Sequence, residues 1–255
     1  MRLRPAVVLA RNAREAPRFR ILQTAVRWIA LTAPLFLAPH SFGQQTYVGR
    51  WDAYGGYTRI MQPSINLAAP GFNLQTAMRP TNWVTLGFDY NIGNGRNTVE
   101  PGMLLPSVQN ALSGLLRELA ARGLVPPGYQ FAVPFNVRFQ TFQVGPDFPF
   151  RHFQTVTFFV RPNLGAVQVV ATAHPADPIA TLIINQFIPN GKKTDWTYFY
   201  GFGGGLEFNV QKHFALRFQA DFAHDHFFND LLRAGNTIRF SIGPAFQWGK
   251  NMAGH

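Results

Sequence analysis

Between Tyr198 and Gly249 three segments alternate, residue by residue, between two kinds of side chain. That period belongs to a β-strand and to no helix. In 198–209 the even positions read Tyr, Tyr, Phe, Gly, Leu, Phe and the odd ones Phe, Gly, Gly, Gly, Glu, Asn. In Phe214–Ala223 the even positions are Phe214, Leu216, Phe218, Ala220 and Phe222, while the odd ones include Arg217, Gln219 and Asp221. In Ile238–Gly249, Ile238, Phe240, Ile242, Pro244, Phe246 and Trp248 alternate with Arg239, Ser241, Gly243, Ala245 and Gln247. A soluble sandwich would bury the aromatic-rich face in a core. A transmembrane barrel turns it to lipid and keeps the polar face in its lumen.

The 255 residues include no Cys, which excludes disulfides, thiolate metal sites and Cys nucleophiles. The net charge of +11 is unevenly placed, because residues 1–43 hold seven Arg and one Glu, or +6, leaving 11 − 6 = +5 for the rest. No basic patch alternates with exposed aromatics, so nucleic acid is not an expected partner. Residues 1–43 have the layout of an export signal. An Arg-rich stretch precedes the apolar run Trp28–Ala38, and Ser41 and Gly43 occupy the −3 and −1 positions of a cleavage site. That run is well short of the roughly 20 residues of a spanning helix. A chain like this enters a membrane as a barrel.

Eight strand-like segments follow: Arg50–Met61, Phe72–Arg79, Trp83–Ile92, Phe139–Phe148, Thr155–Val170 and the three above. The first has blurred alternation and an open register. Arg79–Asn82 and Pro149–His152 read as turns. Connections of about ten, 45, 25 and 13 residues alternate with connections of a few residues, the pattern of a barrel with short turns at one end and long loops at the other. In the longest loop Leu104, Val108, Ala111, Leu112, Leu115 and Leu119 fall on one helical stripe, predicting a helix over Ser107–Arg122 capped by Ser107. It would fold over the barrel mouth or its outer wall, or else lie in the outer leaflet.

With Ala53-Tyr54-Gly55-Gly56-Tyr57 in the first strand, Val144-Gly145-Pro146 in the fourth, Phe202–Glu207 in the sixth and Ile238–Phe246 in the last, the chain resembles the small eight-stranded outer-membrane barrels of the OmpA transmembrane domain and OmpX type. The resemblance spans about Thr46–Lys250. It implies residence in the outer membrane of a Gram-negative-type bacterium and a structural, adhesion-like or narrow-pore role rather than an enzyme. It also implies outer-membrane lipids, lipopolysaccharide and the barrel-assembly machinery as partners, and a monomer. Such chains usually end on an aromatic, whereas here seven residues follow Trp248.

The polar faces carry Asp89, Arg161, Glu207, Arg217, Asp221 and Arg239. An eight-stranded barrel is just wide enough for side chains to fill, so these charges are expected to pair into a lumen network. A short turn at Gln211–His213 sets Glu207 opposite Arg217, and Asp221 should meet Arg239 at similar height. His224-Asp225-His226 is read as a solvated loop, with a metal site as the sharper alternative. Lys192, Lys193 and Arg233 are read as solvated loop charges suited to lipopolysaccharide phosphates. No catalytic, cofactor or metal residue is assigned. The expected architecture is all-β: an eight-stranded antiparallel transmembrane up-and-down barrel with a short helix in one long loop. The signal peptide is 1–43, the barrel 44–250 and the tail 251–255. The expected role is a surface barrel plugged by paired charges. A narrow pore, a lipid-modifying enzyme and a soluble lipocalin-like binder are the alternatives.

Overall fold

The computed structural model describes residues 45–232 and 235–253. The leader assigned to 1–43 and Arg233 lie outside them. Eight antiparallel strands close into one barrel in chain order: β1 Gly49–Gln62, β2 Leu67–Met78, β3 Thr85–Val99, β4 Val133–Phe150, β5 Val156–Ala173, β6 Lys192–Gln211, β7 Phe214–Asp225 and β8 Gly235–Asn251. β1 pairs with β8 to complete the ring. Two helices, α1 Pro106–Ala121 and α2 Pro178–Phe187, sit in the β3–β4 and β5–β6 loops.

One end, here the lower, carries both ends of the described chain and the turns 79–84, 151–155 and 212–213. The upper end carries 63–66, 100–132, 174–191 and 226–232. The first upper connection is tighter than its sequence suggests. β2 begins at Leu67 instead of Phe72, and a single 3₁₀ turn over Pro63–Ile65, closed by Asn66 in the left-handed region, joins it to β1.

Strands β3, β4 and β6 run further up than their alternation indicates, to Val99 and from Val133 and Lys192. The polarity of the alternation inverts along the barrel. In the lower part of β4, Thr141 and Gln143 are buried while Val144 and Phe150 are exposed; in its upper part Val133, Phe135, Val137 and Phe139 are buried while Pro134, Asn136 and Arg138 are exposed. β1 and β5 change over in the same way, from Asp52 and Thr58 to Ile60, and from Arg161 and Asn163 to Val167, Val169 and Ala171. On β1, β4 and β5 the lower storey is therefore polar inside and apolar outside, and the upper storey is the reverse, whereas β6 keeps Trp196 and Tyr198 on its outer face.

The lower belt decides the solvent. Phe72 and Phe202 are each 67% exposed, and Leu74, Leu164, Phe240, Ile242 and Phe246 are also exposed. A contiguous apolar band of this kind is not presented to water. It is the lipid face of a transmembrane barrel, flanked by aromatic girdles with Trp51, Trp83 and Trp248 below and Trp196, Tyr198 and Tyr200 above. Among the described residues no helix is long and apolar enough to cross a membrane. The strands do the spanning, and closure of the ring leaves no edge in the lipid.

Helix α1 begins one residue earlier than predicted, with Pro106 at its first position and Leu105 as its cap. Proline lacks the N–H that would be orphaned there and has the helical φ already set, so Ser107 does not cap. Leu112 is 2% exposed and packs on the upper core, which places the helix over the barrel mouth and not in a leaflet. The sequence reading missed α2. Asp177 caps it by accepting from the Ala180 N–H at 2.8 Å, and Ala180, Ile183 and Ile184 point into the upper core.

Candidate functional site: a charged floor beneath an apolar chamber

The lower lumen is built in rows across neighbouring strands. Arg161 of β5, Gly203 of β6, Asp221 of β7 and Arg239 of β8 are successive partners in the ladder. Asp221 receives Arg161 through Nε at 2.8 Å and Nη2 at 2.7 Å, and Arg239 through Nε at 3.0 Å and Nη2 at 2.7 Å. This works because position 203 is a glycine. A Cβ there would lie 2.0 Å from the Asp221 carboxylate. Asp89 on the facing wall accepts from the same two arginines at 3.1 and 3.2 Å, and from Gln75 and Asn91 at 2.9 and 2.6 Å.

A second row lies below. Glu207 is the ladder partner of Arg217, whose Nε donates to it at 2.6 Å. Arg217 also donates to Asp52 at 2.7 Å and to Gln75 at 3.0 Å. Its guanidinium lies 5.3 Å from the Tyr54 ring centre and 5.8 Å from that of Phe159, so aromatic faces cover the charge that carboxylates do not. Gly205 leaves room for the Phe159 ring, which a Cβ would meet at 2.7 Å. Gln75 joins the two rows and exchanges hydrogen bonds with Gln219 at 2.7 and 2.9 Å.

All six charges assigned to the lumen from the sequence thus lie on the inner face and pair with one another or with neighbours. Three partners were missed. Asp52 sits in β1, whose register was open. Arg79 was read as a turn residue, but its side chain turns back into the lumen and holds Asp52 at 2.8 Å. Arg151, also in a turn, is buried and donates to the Asn82 carbonyl. With Asp147 on the inward phase of β4, the floor holds five carboxylates (Asp52, Asp89, Asp147, Glu207, Asp221) and five arginines (Arg79, Arg151, Arg161, Arg217, Arg239). Balanced sign lets a desolvated cluster stay ionised.

Above the floor lies an apolar chamber that no sequence signal announced. A cavity of about 40 Å³ bordered by Ile60, Phe139, Phe199 and Arg239 marks the boundary. A cavity of about 80 Å³ lies above it, between upper strand residues, α1, α2 and the β7–β8 loop. Lys193 is not a solvated loop charge. It sits on the inward phase of β6, borders the chamber and is paired with Asp230.

His224-Asp225-His226 does not converge. Asp225 points inward and accepts from Thr237 at 2.5 Å, while His224 lies on the outer face beside Asn236 at 2.8 Å. The two imidazoles stack edge to face, with ring centres 4.6 Å apart. Among the described residues no three His, Asp or Glu side chains group as metal ligands. Gly203 and Gly205 face the Asp221 carboxylate and the Phe159 ring.

No family model and no curated protein matches the sequence. Solved structures do. Ail, the attachment invasion locus protein of Yersinia pestis, is 10% identical, over 77% of this chain and 95% of its own, with a TM-score of 0.42. Neisserial surface protein A is 11% identical over 78% and 96%, with a TM-score of 0.46. The outer membrane protein OprG of Pseudomonas aeruginosa is 8% identical over 81% and 99%, with a TM-score of 0.44. At this distance the barrel of the present chain rests on its own strand pairing.

Proposed function

We propose that this chain is a bacterial outer-membrane barrel of structural or surface type, whose lumen is closed to ions by its charge network. The observation that carries the reading is the pairing of Arg161 and Arg239 on one buried carboxylate, Asp221, across a barrel whose outer face at that height is apolar. A conducting pore needs mobile or water-lined charges; these are desolvated and held by neighbours on four strands. The upper end, with its loops and helices, faces the cell exterior, and 1–43 serves as the export signal. Arg59, Arg96 and Arg138 project outward from the upper rim of the apolar belt. They supply charge at the depth of lipopolysaccharide phosphates. Trp248 would serve as the aromatic read by the assembly machinery. A structural role is favoured over an enzymatic one because the Ser241 hydroxyl bonds with Thr58 Oγ1 at 3.0 Å and accepts from Asn73 Nδ2 at 3.3 Å, not facing a base.

Cell fractionation combined with gel mobility before and after boiling tests this. The expected result is an outer-membrane protein that migrates differently unboiled. Recovery from the soluble periplasm with heat-independent mobility would overturn the assignment.

A further inference from the structure

The upper storey carries chemistry that a structural role does not use. Leu67, Val99 and Phe135 wall its cavity, and Leu112, Ile183 and Phe228 roof it. The two polar side chains that border it are engaged. Asn97 Nδ2 donates to the Ile65 carbonyl at 2.6 Å, and Lys193 is paired with Asp230 and lies 5.9 Å from the centre of the Phe228 ring. A charged ligand would lose its water and gain no open partner there. An uncharged apolar one enters a space that is dry by nature. At about 80 Å³ the cavity is roughly half of the 150 Å³ that admits benzene in an engineered protein. A single ring or a short branched chain fits with small shifts of the roof.

The hydrogen-bond ladder in the wall beside the chamber is incomplete. The β2–β3 ladder runs from Met78↔Leu86 to Gly71↔Gly93 and stops, although β2 begins at Leu67 and β3 continues to Val99. Pro70, in the unpaired stretch, has no N–H with which to extend the ladder. The Asn97–Ile65 bond is a side-chain latch beside that stretch, and both its residues border the chamber. The same strands remain paired to β1 and β4 on their other edges. The result is a seam at the upper rim of the apolar belt that packing closes, not ladder hydrogen bonds: a Cβ at Gly95 would lie 2.9 Å from the Ala68 carbonyl oxygen, and Leu67 and Ala69 are buried.

We propose that the upper chamber binds a small uncharged apolar molecule of about single-ring size, and that the seam between β2 and β3 above Gly71 and Gly93 parts into a slit that is its route in and out. Because the charged floor closes the axis below, the molecule leaves by the way it came. The chamber holds or presents its ligand and does not pass it across the membrane. Binding in the chamber stands apart from the surface role proposed above; only the dead end beneath it depends on that reading.

The test uses the whole chain refolded in lipid nanodiscs, with fluorobenzene observed by ¹⁹F NMR and empty nanodiscs as the blank. One saturable bound resonance beyond the lipid background is expected. Ala171→Phe fills the chamber and should abolish it while heat-modifiable mobility is kept. Should that variant fail to fold, Leu112→Ala enlarges the chamber and should admit 1-fluoronaphthalene, which the wild type excludes. Ala68→Cys with Arg96→Cys, opposite each other if the register continues, forms a cross-link over the slit in a chain with no other Cys. Oxidation should slow ligand exchange at least tenfold, and reduction should restore it. No resonance beyond the blank, or binding unchanged by both chamber variants, would overturn the chamber. Equal binding of octanoate would overturn the preference for a neutral ligand. Exchange unaffected by the cross-link would overturn the slit.

Discussion

Arg217 is held by Asp52, Glu207 and Gln75, with Tyr54 and Phe159 on its faces. Removing it leaves Glu207 without its guanidinium and Asp52 with Arg79 alone, a loss of about 3–5 kcal/mol. Arg217→Ala should therefore lower the urea midpoint of the folded barrel sharply. Arg217→Ala with Glu207→Ala should recover part of the loss, because fewer charges are stranded. Equal midpoints for wild type and the single variant would show that the network contributes nothing to stability. Gly203 yields a steric prediction at the same scale. Gly203→Ala pushes a methyl into Asp221 and should destabilise the barrel, whereas Gly102→Ala, in open space, should not. Thermal loss of the unboiled gel band compares the two.

At the scale of elements, the strands answer to two environments. Ile242 is on the outer face of β8, 41% exposed, and Ile242→Arg should cost about 2–4 kcal/mol if that face meets the bilayer core. A variant that folds into lipid vesicles as stably as the wild type would contradict the lipid face. The upper loops hang on a different contact. Tyr129 Oη lies 3.1 Å from both carboxylate oxygens of Asp177, the cap of α2, and burial together with this hydrogen bond pushes the phenol up to about 12. A phenol whose folded pKa exceeds its unfolded value near 10 favours the fold fully below pH 10. That contribution fades as pH rises from about 10 to about 12. Protease cleavage of the β3–β4 loop should accelerate over that window in the wild type. It should already be faster at pH 8 in Tyr129→Phe, which has lost the hydroxyl. A cleavage rate flat across the window would remove the tie.

Legibility in the sequence follows the same division. In β7 and β8 one polarity runs nearly end to end, so period and face could be read directly, and Glu207 opposite Arg217 and Asp221 opposite Arg239 are ladder partners. In β4 the apolar phase moves from Phe142 and Val144 outside to Phe135 and Val137 inside. A rule with one polarity therefore truncates the strand at the changeover. Gly93-Asn94-Gly95 looks like a turn but lies within β3, where strand pairing to β4 overrides the local preference. Asp52 and Arg79 could not be assigned because one needs the register of a blurred strand and the other a side chain returning from a turn. α2, at ten residues, is too short to show a period.

For the whole molecule, the inverted polarity defines two compartments on one axis: a desolvated ionic floor inside the lipid belt, and an apolar chamber under helices above it. In the proposed reading the floor keeps a narrow barrel shut, while the chamber gives the upper end a core of its own. The central claim is that the floor closes the lumen, and planar-bilayer recording tests it most directly. Purified wild-type protein should insert without a steady conductance. Arg161→Ala with Arg239→Ala, which leaves Asp89 and Asp221 without guanidinium partners, should admit water and give measurable cation-selective openings. A large, steady open conductance in the wild type would contradict the closed floor and make the protein a pore.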